Sequence, residues 1–176
     1  MSSDLLDDLI SIVGAQHVRC TEADRIAYSS DMWPRHQIWK MGGEICKHPP
    51  RAIVWPANEQ EISDIMICAA KHEVPVIPYG AGSGVCGATV PLNGEIMMDL
   101  KRLNQILELC DEDLTITAQP GLVGMHLEQY LADEGYTLGH FPSSILCSTL
   151  GGWLAARSAG QFSSKYGKIE DMVVSL

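Results

Sequence analysis

Apolar positions along the chain recur with two periods, and the elements follow from them. Leu5, Leu6, Leu9, Ile10 and Val13 fall at helical spacing, with Asp4, Asp7 and Asp8 in the first turns where the helix dipole favours acid, so residues 4–13 read as an amphipathic helix. A short second helix is predicted over Glu22–Tyr28 with Thr21 as its N-cap. Between residues 29 and 50 the periodicity is lost among Ser29, Ser30, Asp31, Pro34, Gly42, Gly43, Pro49 and Pro50, giving an irregular connector packed down by Trp33 and Trp39. His36, Cys46 and His48 read there as solvated loop residues. Ala52–Trp55 reads as a strand ended by Pro56. Asn58 and Glu61 then open a helix in capping-box style, its Ile62, Ile65, Met66 and Ala69 turned to a sheet and His72 capping its end. Val74–Ile77 reads as a buried strand completing β-α-β, Glu95–Leu100 as another, and Ile106–Leu109 with Leu114–Ala118 as a hairpin.

After Gln119-Pro-Gly121 an amphipathic helix turns Leu127, Tyr130 and Leu131 inward and stops at Gly135, leaving His126 at the surface. Ser148 or Thr149 caps a further helix running to Ala159, with Gly151 and Gly152 weakening its first turn. Two glycines there fit a bulky partner lying against exposed N–H groups, whereas close helix–strand packing explains one glycine better than two. Ile169–Leu176 reads as the start of a strand that stops abruptly, from which a longer polypeptide is expected.

Composition narrows the function. The chain has 176 residues, 46% hydrophobic and 19% charged, which suits one domain or two small lobes with a true core. A formal net charge of −10 argues against nucleic acid or an anionic membrane as partner, but not against an anionic cofactor held by backbone N–H groups. Six cysteines, at 20, 46, 68, 86, 110 and 147, show no C-x-x-C and no cysteine–histidine ligand spacing, so they read as free thiols of a reducing compartment, with no metal site. No segment has the length of a membrane span, and a cytoplasmic protein is expected.

The most informative stretch is the loop after Ile77, which carries Gly80, Gly82, Gly84 and Gly87. Glycines allow positive φ, and successive N–H groups in such a loop can line a nest for phosphate oxygens. Gly82-Ser-Gly84-Val-Cys-Gly87 spells the dinucleotide fingerprint, yet Pro91 and Asn93-Gly94 leave no room for the helix which that motif must open. A Rossmann site is thereby excluded, as is a P-loop, since no Gly-Lys-Ser/Thr follows. By itself the loop fits either a pyrophosphate cradle or a plain connection between strands.

Five segments taken together resemble the FAD-binding domain of the vanillyl-alcohol-oxidase-type (PCMH-type) flavoenzymes over Pro50–Leu176. They are Arg51-Ala-Ile-Val-Trp-Pro, Val76-Ile-Pro-Tyr-Gly-Ala-Gly-Ser-Gly, Ala118-Gln-Pro-Gly, Pro142-Ser-Ser with Ser148-Thr149-x-Gly151-Gly152, and Tyr166-Gly-x-Ile-Glu-Asp-Met-Val-Val. Within the family, the alkyldihydroxyacetonephosphate synthase branch is most similar, with the glycolate oxidase and D-lactate dehydrogenase relatives next, although Ser143 stands where the synthase branch has an acid. The resemblance implies an α+β, two-lobed fold with FAD extended between the lobes: an N-terminal arm and connector over residues 1–48, then a domain over 49–176 with lobes at about 49–110 and 111–176. It further implies that Pro78, Tyr79, Gly80, Ala81, Gly82, Ser83 and Gly84 wrap the pyrophosphate. Pro142, Ser143, Ser148, Thr149, Gly151, Gly152, Arg157, Ser158 and Gly160 match other FAD-contacting segments, with Ile169 approaching through its backbone. Arg157 is equally readable as a helix cap, and His140 as a residue fixing a turn. No histidine lies in the glycine loop, where covalent members carry one, so non-covalent FAD is expected. The family's catalytic residues lie in a substrate domain beyond residue 176. The implied whole enzyme oxidises a 2-hydroxy acid or related alcohol using an electron acceptor, with redox-neutral alkyl transfer as the alternative and homo-oligomerisation left open. A non-catalytic nucleotide-binding or interaction module is the competing class.

Overall fold

The computed structural model describes residues 3–43 and 48–176. The chain divides into two compact units, Met1–Arg102 and Leu103–Leu176. In the first, a four-stranded sheet has the order β1-β2-β4-β3, from β1 (Val18–Arg19), β2 (Ala52–Val54), β3 (Val76–Tyr79) and β4 (Ile96–Asp99). β4 is parallel to both β2 and β3, and β1 closes the other edge antiparallel to β2. Alternation along the strands feeds two cores. Ala52, Val54, Ile96 and Met98 meet α1 (Ser3–Val13) and α4 (Glu59–Lys71) through Leu5, Leu9, Val13, Ile65, Cys68 and Ala69. Ile53, Met97 and Tyr79 face the opposite side, against Tyr28, Trp55 and Ile77. Strands covered on both faces need uninterrupted apolar residues, which is what Ala52–Val54 and Ile96–Met98 supply.

Local rules set the helix ends. The Thr21 hydroxyl accepts from the Asp24 N–H at the start of α2 (Glu22–Ala27). Asn58 Oδ1 accepts from Glu61 N at 2.8 Å, while the Glu61 carboxylate returns to Ala57 N at 2.7 Å. β3 begins two residues later than Val74 and is an edge strand rather than a buried one, which is why Pro78, lacking an N–H, is tolerated in it.

The connector expectation fails over residues 34–41. α3 (Pro34–Met41) forms there with Pro34 in its first turn, where a missing N–H costs nothing. Its periodicity was invisible because the residue it buries is a histidine: His36 is 6% exposed, packed between Trp33 and Trp39, and not solvated. Cys46 lies outside the described residues. Ile10, Met66 and Tyr130 sit at the borders of their helical stripes and are exposed, contrary to the pattern reading.

The second unit holds the hairpin β5 (Ile106–Cys110) and β6 (Thr115–Ala118), α5 (Gly124–Asp133), α6 (Leu150–Ala156) and the short α7 (Ser163–Tyr166). The boundary at Arg102 keeps this hairpin whole, whereas a division near residue 110 would cut it. Leu122, Leu127, Leu131, Trp153 and Ile169 form its core. α6 stops at Ala156 instead of Ala159 because Arg157 turns left-handed at φ 50°. Ile169–Met172 is a 3-10 turn and not a strand, with the Asp171 carboxylate accepting from Lys168 N at 2.9 Å. No helix among the described residues is long and apolar enough to cross a membrane.

Candidate cofactor site

The glycine loop leaves β3 at Tyr79 and is braced at both ends by buried carboxylates. At its start, the Gly80 carbonyl accepts from Lys101 Nζ at 2.5 Å, and the same ammonium pairs with Asp99 Oδ2 at 2.5 Å. Asp99 has no solvent exposure and also accepts from the Tyr28 hydroxyl at 2.6 Å and from Lys101 N at 3.0 Å. A carboxylate buried this completely is tolerable only with its oxygens satisfied. Burial, and then the bond to Asp99, push the Tyr28 phenol up and keep it a donor. Burial, with Asp99 and then Asp31 nearby, does the same for Tyr79. At the loop's far end Asp31 Oδ2 accepts from Gly87 N at 2.8 Å, and Met32 N donates to the Gly84 carbonyl at 3.0 Å.

Between these braces the N–H groups of residues 81–86 find no protein acceptor among the described residues. Gly82 holds φ +62°, and a Cβ there would lie 2.2 Å from the Tyr79 hydroxyl oxygen, so the chain itself demands glycine. Gly84 differs: a Cβ would meet nothing nearer than Asp31 Oδ2 at 3.9 Å, leaving room that a ligand can take. A loop held at both ends with a row of N–H groups left to donate carries the donors that a pyrophosphate needs, and these residues fit one. Pro78 and Gly84 are exposed, Tyr79 is buried, and Gly80, Ala81, Gly82 and Ser83 are half-buried.

The candidates of the second unit are bound up in its own structure. Leu150 N donates to the Leu122 carbonyl, Gly151 N to Pro120 at 2.8 Å, Gly152 N to Thr149 Oγ1, and Trp153 N to Thr149. The first turn of α6 therefore has no N–H to offer an anion, contrary to the reading of the glycine pair. Gly151 is explained by Pro120, whose Cβ would lie 2.7 Å from an added methyl, whereas a Cβ at Gly152 would meet only the Thr149 hydroxyl, at 3.1 Å. The Ser148 hydroxyl accepts from Trp153 Nε1 at 2.7 Å and donates to the Ser144 carbonyl at 2.9 Å. Of the candidates here, Ser143 and Gly152 are exposed and Pro142 is half-buried.

His140 is fully buried, its Nε2 is 2.7 Å from Ser158 Oγ, and burial pushes its pKa down. Its Nδ1 has no hydrogen-bond partner among the described residues, and a Gly160 Cβ would lie 2.6 Å from Phe141 N, so Gly160 is required by close backbone approach. Arg157 is exposed and grips Glu170 through two bonds of 2.8 and 2.7 Å. Ile169 N donates to the Ser158 carbonyl, so its N–H is spent and its side chain is in the core.

Sequence reasoning missed Tyr28, Asp31, Asp99 and Lys101. A carboxylate closing the apolar run Ile96–Met98 was the available signal for Asp99. It also missed that Cys68 and His72, one turn apart on α4, lie with Asp8 as a group of metal-ligand type. The Lys71 ammonium, 2.7 Å from Asp8 Oδ2, already supplies the positive charge there.

A family model described as FAD binding domain matches residues 50–176. The glycolate oxidase subunit GlcD of Bacillus subtilis (strain 168) is 34% identical over 176 residues, covering 100% of this chain and 35% of that protein. A solved structure of alkyldihydroxyacetonephosphate synthase superposes with a TM-score of 0.92 at 34% identity, over 99% of this chain and 32% of that one. p-Cresol methylhydroxylase shares the fold, with a TM-score of 0.69 at 18% identity over 82% of this chain and 27% of its own. The chain spans between 22% and 35% of the length of these curated relatives.

Proposed function

The chain belongs to the family of FAD-binding domains, with the α+β PCMH-type fold, and from this we propose that it is the cofactor-binding part of an FAD-linked oxidoreductase. The observation that carries the reading is the braced loop with its row of undonated N–H groups. Pro78, Tyr79, Gly80, Ala81, Gly82, Ser83 and Gly84 wrap the pyrophosphate, with the backbone N–H groups from Ala81 onward donating to it. Lys101 at the loop's base neutralises the buried Asp99 carboxylate, so that this acid does not repel the phosphates. Pro142, Ser143, Ser148, Thr149, Gly151, Gly152, Arg157, Ser158, Gly160 and Ile169 belong to the further cofactor-facing segments, where exposed Ser143, Gly152 and backbone carbonyls are the groups left to act. Binding is non-covalent in this reading, since no histidine stands in the loop.

Bound FAD supplies hydride chemistry at its flavin ring, and this chain binds and orients it. We assign the whole protein a small-molecule substrate of 2-hydroxy-acid or related alcohol type and a separate electron acceptor. Redox-neutral alkyl transfer is the second reading, favoured by the likeness to alkyldihydroxyacetonephosphate synthase over nearly the entire chain. A cytoplasmic setting accords with five free cysteines among the described residues. The test is the absorbance spectrum of the chain after incubation with FAD and desalting. Flavin bands near one per chain are expected, and Gly82→Val, which drives a side chain into Tyr79, should abolish them. A folded wild-type chain that stays colourless would overturn the reading and leave the interaction module standing.

A further inference from the structure

Asp31 lies outside the residues that the family model matches, on a segment that the sequence reads as a mere connector. Its carboxylate is nevertheless among the most buried charged groups of the first unit, 3% exposed, and one of its two oxygens is turned to the glycine loop. Oδ2 accepts from Gly87 N at 2.8 Å and lies 3.9 Å from the position of a Gly84 Cβ. Oδ1 accepts from Trp33 N at 2.9 Å and faces His36 Nδ1 at 3.4 Å. The neighbouring peptide adds Met32 N to the Gly84 carbonyl at 3.0 Å, and the Trp33 ring lies 3.0 Å from where a Gly87 Cβ would be. Residues 31–33 thus grip both ends of the turn from Gly84 to Gly87.

We propose that Asp31 is a positioning residue for FAD, fixing the far end of the pyrophosphate loop before the cofactor arrives; this rests on the cradle reading above. Two glycines in the loop hold positive φ, at Gly82 and Gly87, and a loop so rich in glycine has much backbone freedom to lose on binding. Charge-assisted bonds to backbone N–H groups are the strong kind, so a buried carboxylate on Gly87 removes that freedom in advance. The negative charge does not oppose an incoming phosphate as a surface acid would, because its two oxygens already accept from Gly87 N–H and Trp33 N–H. Gly87 N–H is withdrawn from the ligand, and the groups left to donate are those of residues 81–86.

The test compares the wild-type chain with Asp31→Ala and the near-isosteric Asp31→Asn, titrating FAD by flavin fluorescence and following amide exchange at Gly87 without FAD. Losing a charged acceptor on a buried N–H should raise the FAD Kd on the order of tenfold or more in Asp31→Ala. The rise should be smaller in Asp31→Asn, which keeps one acceptor oxygen, and Gly87 exchange should quicken in both. A purely structural role would lower the melting temperature of the FAD-free chain and leave the Kd of the folded protein unchanged. Wild-type Kd in folded Asp31→Ala overturns the proposal; if that variant does not fold, wild-type Kd with unchanged Gly87 exchange in Asp31→Asn does so. FAD uptake by wild type with unaltered variants sinks the Asp31 assignment alone, whereas no uptake by wild type sinks the cradle reading and this proposal together.

Discussion

His140 and Asp99 show how single polar residues are accommodated in this chain. Asp99 meets three donors and remains an anchor, while His140 is buried with one nitrogen bonded to Ser158 and the other unpartnered. Its pKa is lowered by burial from the ordinary 6.5, so the folded state resists protonation that the unfolded chain accepts. The stability it contributes is complete above the unfolded value and is lost as pH falls toward the folded one. Thermal melting should therefore drop as pH falls through the ordinary histidine range near 6.5 and below, with part of that slope absent in His140→Gln. Equal slopes in the two proteins would show that His140 is protonated in the fold. None of this was legible in the sequence, where a histidine between Gly139 and Phe141 looks like a turn residue.

Among the elements, those with an uninterrupted stripe or a side-chain cap were legible. α1, α2, α4, the hairpin and the start of α6 follow from periodicity, Thr21, Asn58 and Thr149. α3 was not, because Trp33, His36 and Trp39 form its packed face and polar residues fill the rest. The end of α6 was missed because Arg157, not a glycine, takes the left-handed position. Glycine proved ambiguous at this scale: Gly151 and Gly124 are consumed by packing, Gly84 is not. Gly124 opens α5 directly beneath Trp153, and an added Cβ would lie 2.1 Å from that ring. Gly124→Ala should overpack the core of the second unit and cost about 1–3 kcal/mol, read as a lower urea midpoint at unchanged slope. Wild-type stability would mean that α5 and α6 can separate freely.

At the scale of the whole chain, a net charge of −10 goes with a cofactor loop whose free donors are backbone N–H groups. The loop spelling and the order of five short segments made the family legible, because glycine demand and strand–turn patterns are written locally. The braces were illegible, since Asp31 and Lys101 act across distances of 56 and 21 residues, and no local pattern encodes such pairings. The account centres on the N–H groups of residues 81–86, and amide hydrogen exchange of the chain with and without FAD addresses them directly. Saturating FAD should slow exchange at those residues, with Gly87 already slow beforehand. FAD that binds while residues 81–86 exchange as fast as before would contradict the cradle.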